Sequence, residues 1–185
     1  MRDCPRPARP DPAAGFTLFE LLIVILIIGV MLTFAVLSIG SRALDDRLET
    51  EARRLQQLLV LAAEEAVLHG AEVGFRYTVD GYEFLTPDPA SAAGKVAWIA
   101  VADDPALRAR KIEEPFFLEL RVEDRPVLPA GIESGEKSPV PQVLLSSSGE
   151  TTAFSLRIRA RNYAPYFLLE SDLMGQMKLE RKDGT

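Results

Sequence analysis

Residues 21–41 run for 21 positions without a charge, and one carboxylate, Glu20, stands at their N-terminal edge. As a helix rising ~1.5 Å per residue, this run spans ~31 Å, about one bilayer hydrocarbon core. Thirteen of the seventeen residues Leu21–Leu37 are Leu, Ile, Val or Phe. At roughly −0.3 to −0.6 kcal/mol each, they favour insertion by about 4–8 kcal/mol. A charge at the bilayer centre costs about 2.5–3.5 kcal/mol, and Glu20 lies at one end rather than the centre, so insertion wins. Arg2, Arg6 and Arg9 precede the run, whereas Arg42 and Arg47 beyond it are balanced by Asp45 and Asp46. Basic flanks stay cytoplasmic, which places the N-terminus inside and the C-terminal part outside. A secretory signal peptide has a shorter apolar region, about 7–15 residues, followed by a small-residue cleavage site; here the Gly15-Phe16 junction comes before the apolar run.

The stretch Gly15-Phe16-Thr17-Leu18-Phe19-Glu20, continued by Leu21-Leu22-Ile23-Val24-Ile25-Leu26-Ile27-Ile28, resembles the type IV prepilin signal. The resemblance implies a leader ending at Gly15, cleavage by a prepilin peptidase before Phe16, methylation of the new amine on Phe16, and a role for Glu20 in assembly. Two accounts of Glu20 stand side by side. The carboxylate snorkels to the headgroups and favours the positive end of the helix dipole. Alternatively it pairs with the Phe16 amine of a neighbouring subunit. Moving an apolar helix from lipid to a helix bundle gains little hydrophobic energy, so register needs another source, and each charge is costly in apolar surroundings without a partner.

Beyond Ser41 the apolar residues recur on one face. Leu48, Ala52, Leu55, Leu59, Ala62 and Ala66 follow spacings of three and four, with Leu58, Leu61 and Leu68 widening the stripe. Asp45, Asp46, Glu49, Arg53, Arg54, Gln56 and Gln57 fill the other side, and Gly70 is a natural stop. One helix is expected over 16–69, with soft points at Gly29, Gly40 and Ser41. From Glu72 the period switches to two. Strands are expected around Val73–Val79, Tyr82–Leu85 after an Asp80-Gly81 turn, Lys95–Val101, Phe116–Glu123, Gln142–Ser146, Thr152–Arg161, Tyr166–Glu170 and Gln176–Arg181. Thr86–Gly94 and Asp124–Pro141 are Pro/Gly-rich loops. The layout is α+β, a long helix packed on an antiparallel β-sandwich. The expected division is a leader at 1–15, a transmembrane helix at 16–40, its amphipathic continuation at 41–70 and a β domain at 71–185.

This layout resembles the minor pseudopilin H family of type II secretion, within the type IV pilin-like superfamily. The echoes are Glu51-Ala52-Arg53-Arg54-Leu55 with Glu64-Glu65-Ala66, Asp80-Gly81-Tyr82-Glu83-Phe84-Leu85, and Ser147-Ser148-Gly149-Glu150-Thr151-Thr152 before Phe154-Ser155-Leu156. Major pseudopilins carry an acidic calcium loop near the C-terminus, and the tail here has only Glu180 and Asp183. Many type IV pilins close a C-terminal loop with a disulfide, whereas the single cysteine here, Cys4, lies in the expected leader.

Charge and composition narrow the chemistry. Removing the three arginines and two aspartates before Phe16 leaves 18 basic against 25 acidic residues, one unit more acidic than the net charge of −6 for the full chain. That disfavours nucleic acid as a partner. The one histidine, His69, falls at a helix end and reads as a cap or surface residue. No phosphate-binding Gly-x-x-x-x-Gly-Lys loop is present. Neither catalytic residues, metal ligands nor a cofactor are expected. Arg157, Arg159 and Arg161 share one strand face, read as a solvent face or a site for an acidic partner. The resemblance implies a structural subunit of the type II secretion pseudopilus, assisting export of folded proteins across the outer membrane. Its partners would be the major and minor pseudopilins, the prepilin peptidase and the inner-membrane assembly platform. It would sit in the bacterial inner membrane as a single-pass protein with a periplasmic C-terminal domain. The alternative is a minor pilin of a type IV pilus engaged in assembly or DNA uptake, with Lys178, Arg181 and Lys182 as a basic tail.

Overall fold

The structure, a computed structural model, describes residues 17–91, 96–131 and 139–184, with the backbone alone at 34–41. The chain divides into two compact units, Met1–Ala43 and Leu44–Thr185. One helix, α1, covers Leu18–His69. It ends where the periodicity predicts: Gly70 has φ +63°, a left-handed conformation that glycine adopts without a Cβ clash. Near its start, Leu18–Leu32 present large apolar side chains that stay exposed in the isolated chain. Among the described residues no helix is long and apolar enough to cross a membrane; the expected span at 16–40 extends into positions outside that set.

In the second unit ten strands form two antiparallel sheets among the described residues. The first contains β1 (Val73–Tyr77), β2 (Gly81–Pro87), β3 (Trp98–Ala100), β4 (Arg110–Lys111) and β7 (Val143–Leu145), in the order β3-β2-β1-β7 with β4 also paired to β2. The second runs β10-β9-β8-β5-β6, built from Met177–Lys182, Tyr166–Ser171, Phe154–Ala160, Phe116–Val122 and Arg125–Val127. Alternation works as expected on β5, where Phe116, Leu118 and Leu120 are buried while Phe117, Glu119 and Arg121 are not. One apolar core joins the two sheets to the helix. Leu48, Ala52, Leu55, Leu59, Ala62 and Ala66, the six stripe residues, are at most 2% exposed. Tyr77 links the sheets directly, its hydroxyl donating to Leu118 O at 2.8 Å.

One local expectation needs correction, and two turns carry detail beyond it. The loop at Asp124–Pro141 opens with a strand, because Glu123 and Asp124 both take positive φ, 49° and 63°, and so make a two-residue hairpin turn between β5 and β6. Gly81 closes the expected hairpin with its backbone, its C=O accepting the Thr78 N–H at 2.9 Å and its N–H donating to Thr78 O at 3.4 Å. Its φ is not positive; instead a Cβ there would sit 2.0 Å from Arg110 O, so glycine is what lets β4 lie against β2. The turn at Ser148-Gly149 closes only a short antiparallel bridge, Leu145↔Thr151, with the Ser146 N–H donating to Glu150 O at 2.8 Å, before the flanking strands part, β7 into the first sheet and β8 into the second. Thr152 spans the break between them: its N–H donates to Leu144 O at 2.9 Å and its Oγ1 accepts from Leu144 N–H at 3.1 Å.

Candidate functional site

Gly15 and Phe16, the expected cleavage and methylation positions, lie outside the described residues. The description starts at Thr17, whose Oγ1 accepts the Glu20 N–H at 3.2 Å, while its carbonyl accepts the Leu21 N–H at 3.2 Å. Thr17 is therefore the N-cap and Glu20 the third residue of the first turn. Thr-x-x-Glu is a capping-box spacing, and the pattern was there to be read in the sequence. Glu20 is exposed, at the end where the helix dipole favours an anion. Around the next turns Leu22, Ile25, Leu26 and Ile28 are at least half exposed, so the carboxylate roots a helix whose apolar surface is uncovered in the isolated chain. Thr33 turns its hydroxyl inward to Gly29 O at 2.9 Å, which removes a donor from that surface.

In the second unit, the helix from Leu44 onward is tied to the second sheet by polar contacts as well as by its stripe. Asp45 accepts the Tyr163 hydroxyl at 3.0 Å and the Arg181 Nε at 3.4 Å. Burial, and next the hydrogen bond to the Asp45 carboxylate, push the Tyr163 phenol above its ordinary pKa. Gln56 Nε2 donates to Met177 O at 3.4 Å. Nothing in the sequence pairs residue 45 with residues 163 and 181, and the contact exists only because β9 and β10 fold back onto the helix.

The cations that the sequence singles out are largely occupied. Arg159 Nη1 meets Glu119 Oε1 at 3.2 Å, Arg157 lies 3.8 Å from the same carboxylate, and Arg161 pairs with Glu114 at 3.3 Å. Arg157 and Arg159 also stand over the Tyr166 ring at 5.6 and 5.7 Å. The stripe is thus a cross-strand charge ladder along β5, β8 and β9. In the C-terminal strand Glu180 binds Lys178 and Lys182, and Arg181 pairs with Asp183 at 2.5 Å. His69 caps the helix end: its Nδ1 lies 2.9 Å from Glu65 Oε2 and 3.2 Å from Glu65 O. Among the described residues, no three His, Cys, Asp or Glu side chains cluster closely enough to hold a metal ion.

Residues 51–169 match the family described as type II transport protein GspH. The chain belongs to that family. The prokaryotic N-terminal methylation motif matches separately, over residues 12–39, bracketing Gly15, Phe16 and Glu20. A GspH relative, type II secretion system protein H of Pseudomonas aeruginosa, is 38% identical over 152 residues, 80% of this chain and 83% of the relative. The protein H of Aeromonas hydrophila is 30% identical over 173 residues, covering 90% and 92% of the two chains. Among solved structures, the minor pseudopilin EpsH of Vibrio cholerae superposes with a TM-score of 0.56 at 25% identity, over 72% of this chain and 95% of EpsH. The fold is accordingly the pilin-like α+β arrangement expected from the sequence. This GspH-family chain is a minor pseudopilin, a structural subunit of type II secretion.

Proposed function

We propose that this subunit is processed before Phe16, anchored through its apolar helix, and built into a pseudopilus that helps move folded proteins across the outer membrane. In this reading residues 1–15 are a leader, 16–40 the membrane helix, 41–70 its amphipathic continuation and 71–185 the periplasmic β domain. The N-terminus faces the cytoplasm and the helix is the single span of the inner membrane. A prepilin peptidase cuts after Gly15 and methylates Phe16, and the assembly platform receives the product together with major and minor pseudopilins. The observation that carries the reading is the pairing of Thr17 and Glu20 at the head of an uncovered apolar helix. Cleavage before Phe16 would leave a cationic amine one residue ahead of the cap and one turn from Glu20. Each processed subunit would then carry one amine and one carboxylate near its helix start, and pairing Glu20 with a neighbour's Phe16 amine gives every such charge a partner along the filament.

N-terminal sequencing of protein from its host should find methylated Phe16 as the first residue. An intact start, or a cut beyond the apolar run, overturns the reading. Glu20→Ala should be processed yet fail to co-assemble and fail to support export. Thr17→Ala, which removes the cap but keeps the carboxylate, should do both. The type IV pilus alternative gains little from the tail, because Lys178, Arg181 and Lys182 each have a carboxylate against them.

A further inference from the structure

A second group of cations, gathered from the helix and the first sheet, is less fully neutralised. A cavity of about 260 Å³ is lined by Glu51 and Arg54 of α1, Tyr82 of β2, and Arg108–Lys111. That is four cations against one carboxylate, on a chain whose net charge is −6. Arg54 is held loosely by Glu51, at 3.7 Å. Arg108 and Lys111 are exposed and have no ion pair or side-chain hydrogen bond among the described residues. The Tyr82 phenol feels both signs of charge: burial pushes its pKa up, Arg54 and Arg110 pull it down, and Glu51 raises it.

The segment carrying these cations is firmly built. Leu107 is 3% exposed and sits in the core. Asp104 Oδ1 accepts the Ala106 N–H at 2.7 Å, which holds the turn just before Leu107. Arg110 Nη2 donates to Ala106 O at 3.0 Å and Pro105 O at 3.2 Å. Gly81↔Lys111 and Tyr82↔Arg110 pair the strands, and Gly81 keeps room for Arg110 O. The backbone here is fixed and Arg110 is held by its two carbonyl contacts, while the exposed Arg108 and Lys111 give up little hydration when a partner arrives.

We propose that this cavity is a docking site for an acidic segment of another protein in the assembly, one that presents two or more carboxylates. The site deepens the pseudopilin reading and rests on it for the identity of the partner as a protein. Guanidinium forks take carboxylates in bidentate fashion, and the cations line an open groove between a helix and a strand edge rather than enclosing a single group. A membrane surface would also need exposed apolar side chains beside the cations; the non-charged lining is Ala109 and Tyr82, and Tyr82 is 3% exposed.

The test uses the full chain in detergent micelles and a fluorescein-labelled hexaglutamate peptide read by anisotropy. Binding should weaken as salt rises. Arg108→Ala with Lys111→Ala should weaken it by about tenfold, whereas Arg53→Ala with Arg125→Ala, which removes the same charge elsewhere, should leave it within about twofold. Arg108→Lys with Lys111→Arg should restore most of the affinity. Equal binding by the Arg108/Lys111 and Arg53/Arg125 alanine pairs overturns the proposal. So does a site that takes inorganic phosphate or phosphatidylglycerol vesicles in an Arg108-dependent way but not the peptide. Peptide binding by the purified chain does not depend on export, so its failure leaves the pseudopilin reading standing, and an unprocessed N-terminus would leave the peptide result untouched.

Discussion

The two ends of α1 are both rich in leucine and meet opposite surroundings. From Leu18 to Leu32 the large apolar side chains are 39–82% exposed, whereas the stripe from Leu48 to Ala66 is at most 2% exposed. The difference is in arrangement. Apolar residues all round a helix cannot be covered by one neighbouring domain and need an apolar medium or several helices. A single stripe needs only one surface, and the two sheets supply it. Folding of the β domain should therefore depend on the second half of the helix, and assembly on the first.

The largest effect is expected from Leu59→Ala, at a fully buried stripe position. Loss of the side chain and the cavity left behind should cost about 2–5 kcal/mol, visible as a lower melting temperature of the full chain in micelles. Leu26→Ala, at 61% exposure, should shift the same melt by less than about 0.5 kcal/mol. Similar shifts for the two would break the contrast. A smaller effect is expected from Asp45→Asn, near the start of the covered half. Weakened contacts to Tyr163 and Arg181 should cost about 1 kcal/mol, and the Tyr163 phenol, now without an adjacent anion, should titrate closer to its ordinary value, read from tyrosinate absorbance against a Tyr163→Phe control.

The smallest effect concerns Glu180. Hydrogen bonds from Lys178 and Lys182 lower its pKa from 4.5 to about 2. A carboxyl lowered on folding stabilises the native state above its unfolded value, and this contribution fades as pH falls from about 4.5 toward 2. Glu180→Gln should flatten the pH dependence of the melt in that window and leave it alone above pH 6. Because Glu180 is on the surface, salt should shrink the difference between the two proteins.

Long periodic signals were legible in the chain. The stripe from Leu48 to Ala66 places the helix and its buried face, and Gly70 gives its end, because helix periodicity persists over many residues. The strands with clean alternation, such as Phe116–Val122 and Phe154–Ala160, follow for the same reason. Two strands did not. β4 is two residues long, too short to show a period. β6 hides behind Glu123-Asp124, which forms a tight turn without the Asn-Gly or Asp-Gly pair that usually announces one. Asp80-Gly81 marked its hairpin, and only the structure shows that this glycine serves the close approach of β4 rather than a positive φ. At the candidate site, Glu20 stood out because an acid beside an apolar run is costly. The cationic cavity did not stand out, because it joins Arg54 to residues 108–111 through the topology of the first sheet, and no local pattern connects positions so far apart.

Gly81 carries a consequence for how such a surface can be lost. Its Cα lies so near the carbonyl of residue 110 that one methyl group would act as a wedge. Alanine at this position, with no change of charge anywhere, should prise the short strand from its neighbour and scatter the cations it aligns. The electrostatics of this face thus hang on a missing carbon, and a search for its determinants confined to Arg and Lys would overlook the residue that holds them in formation.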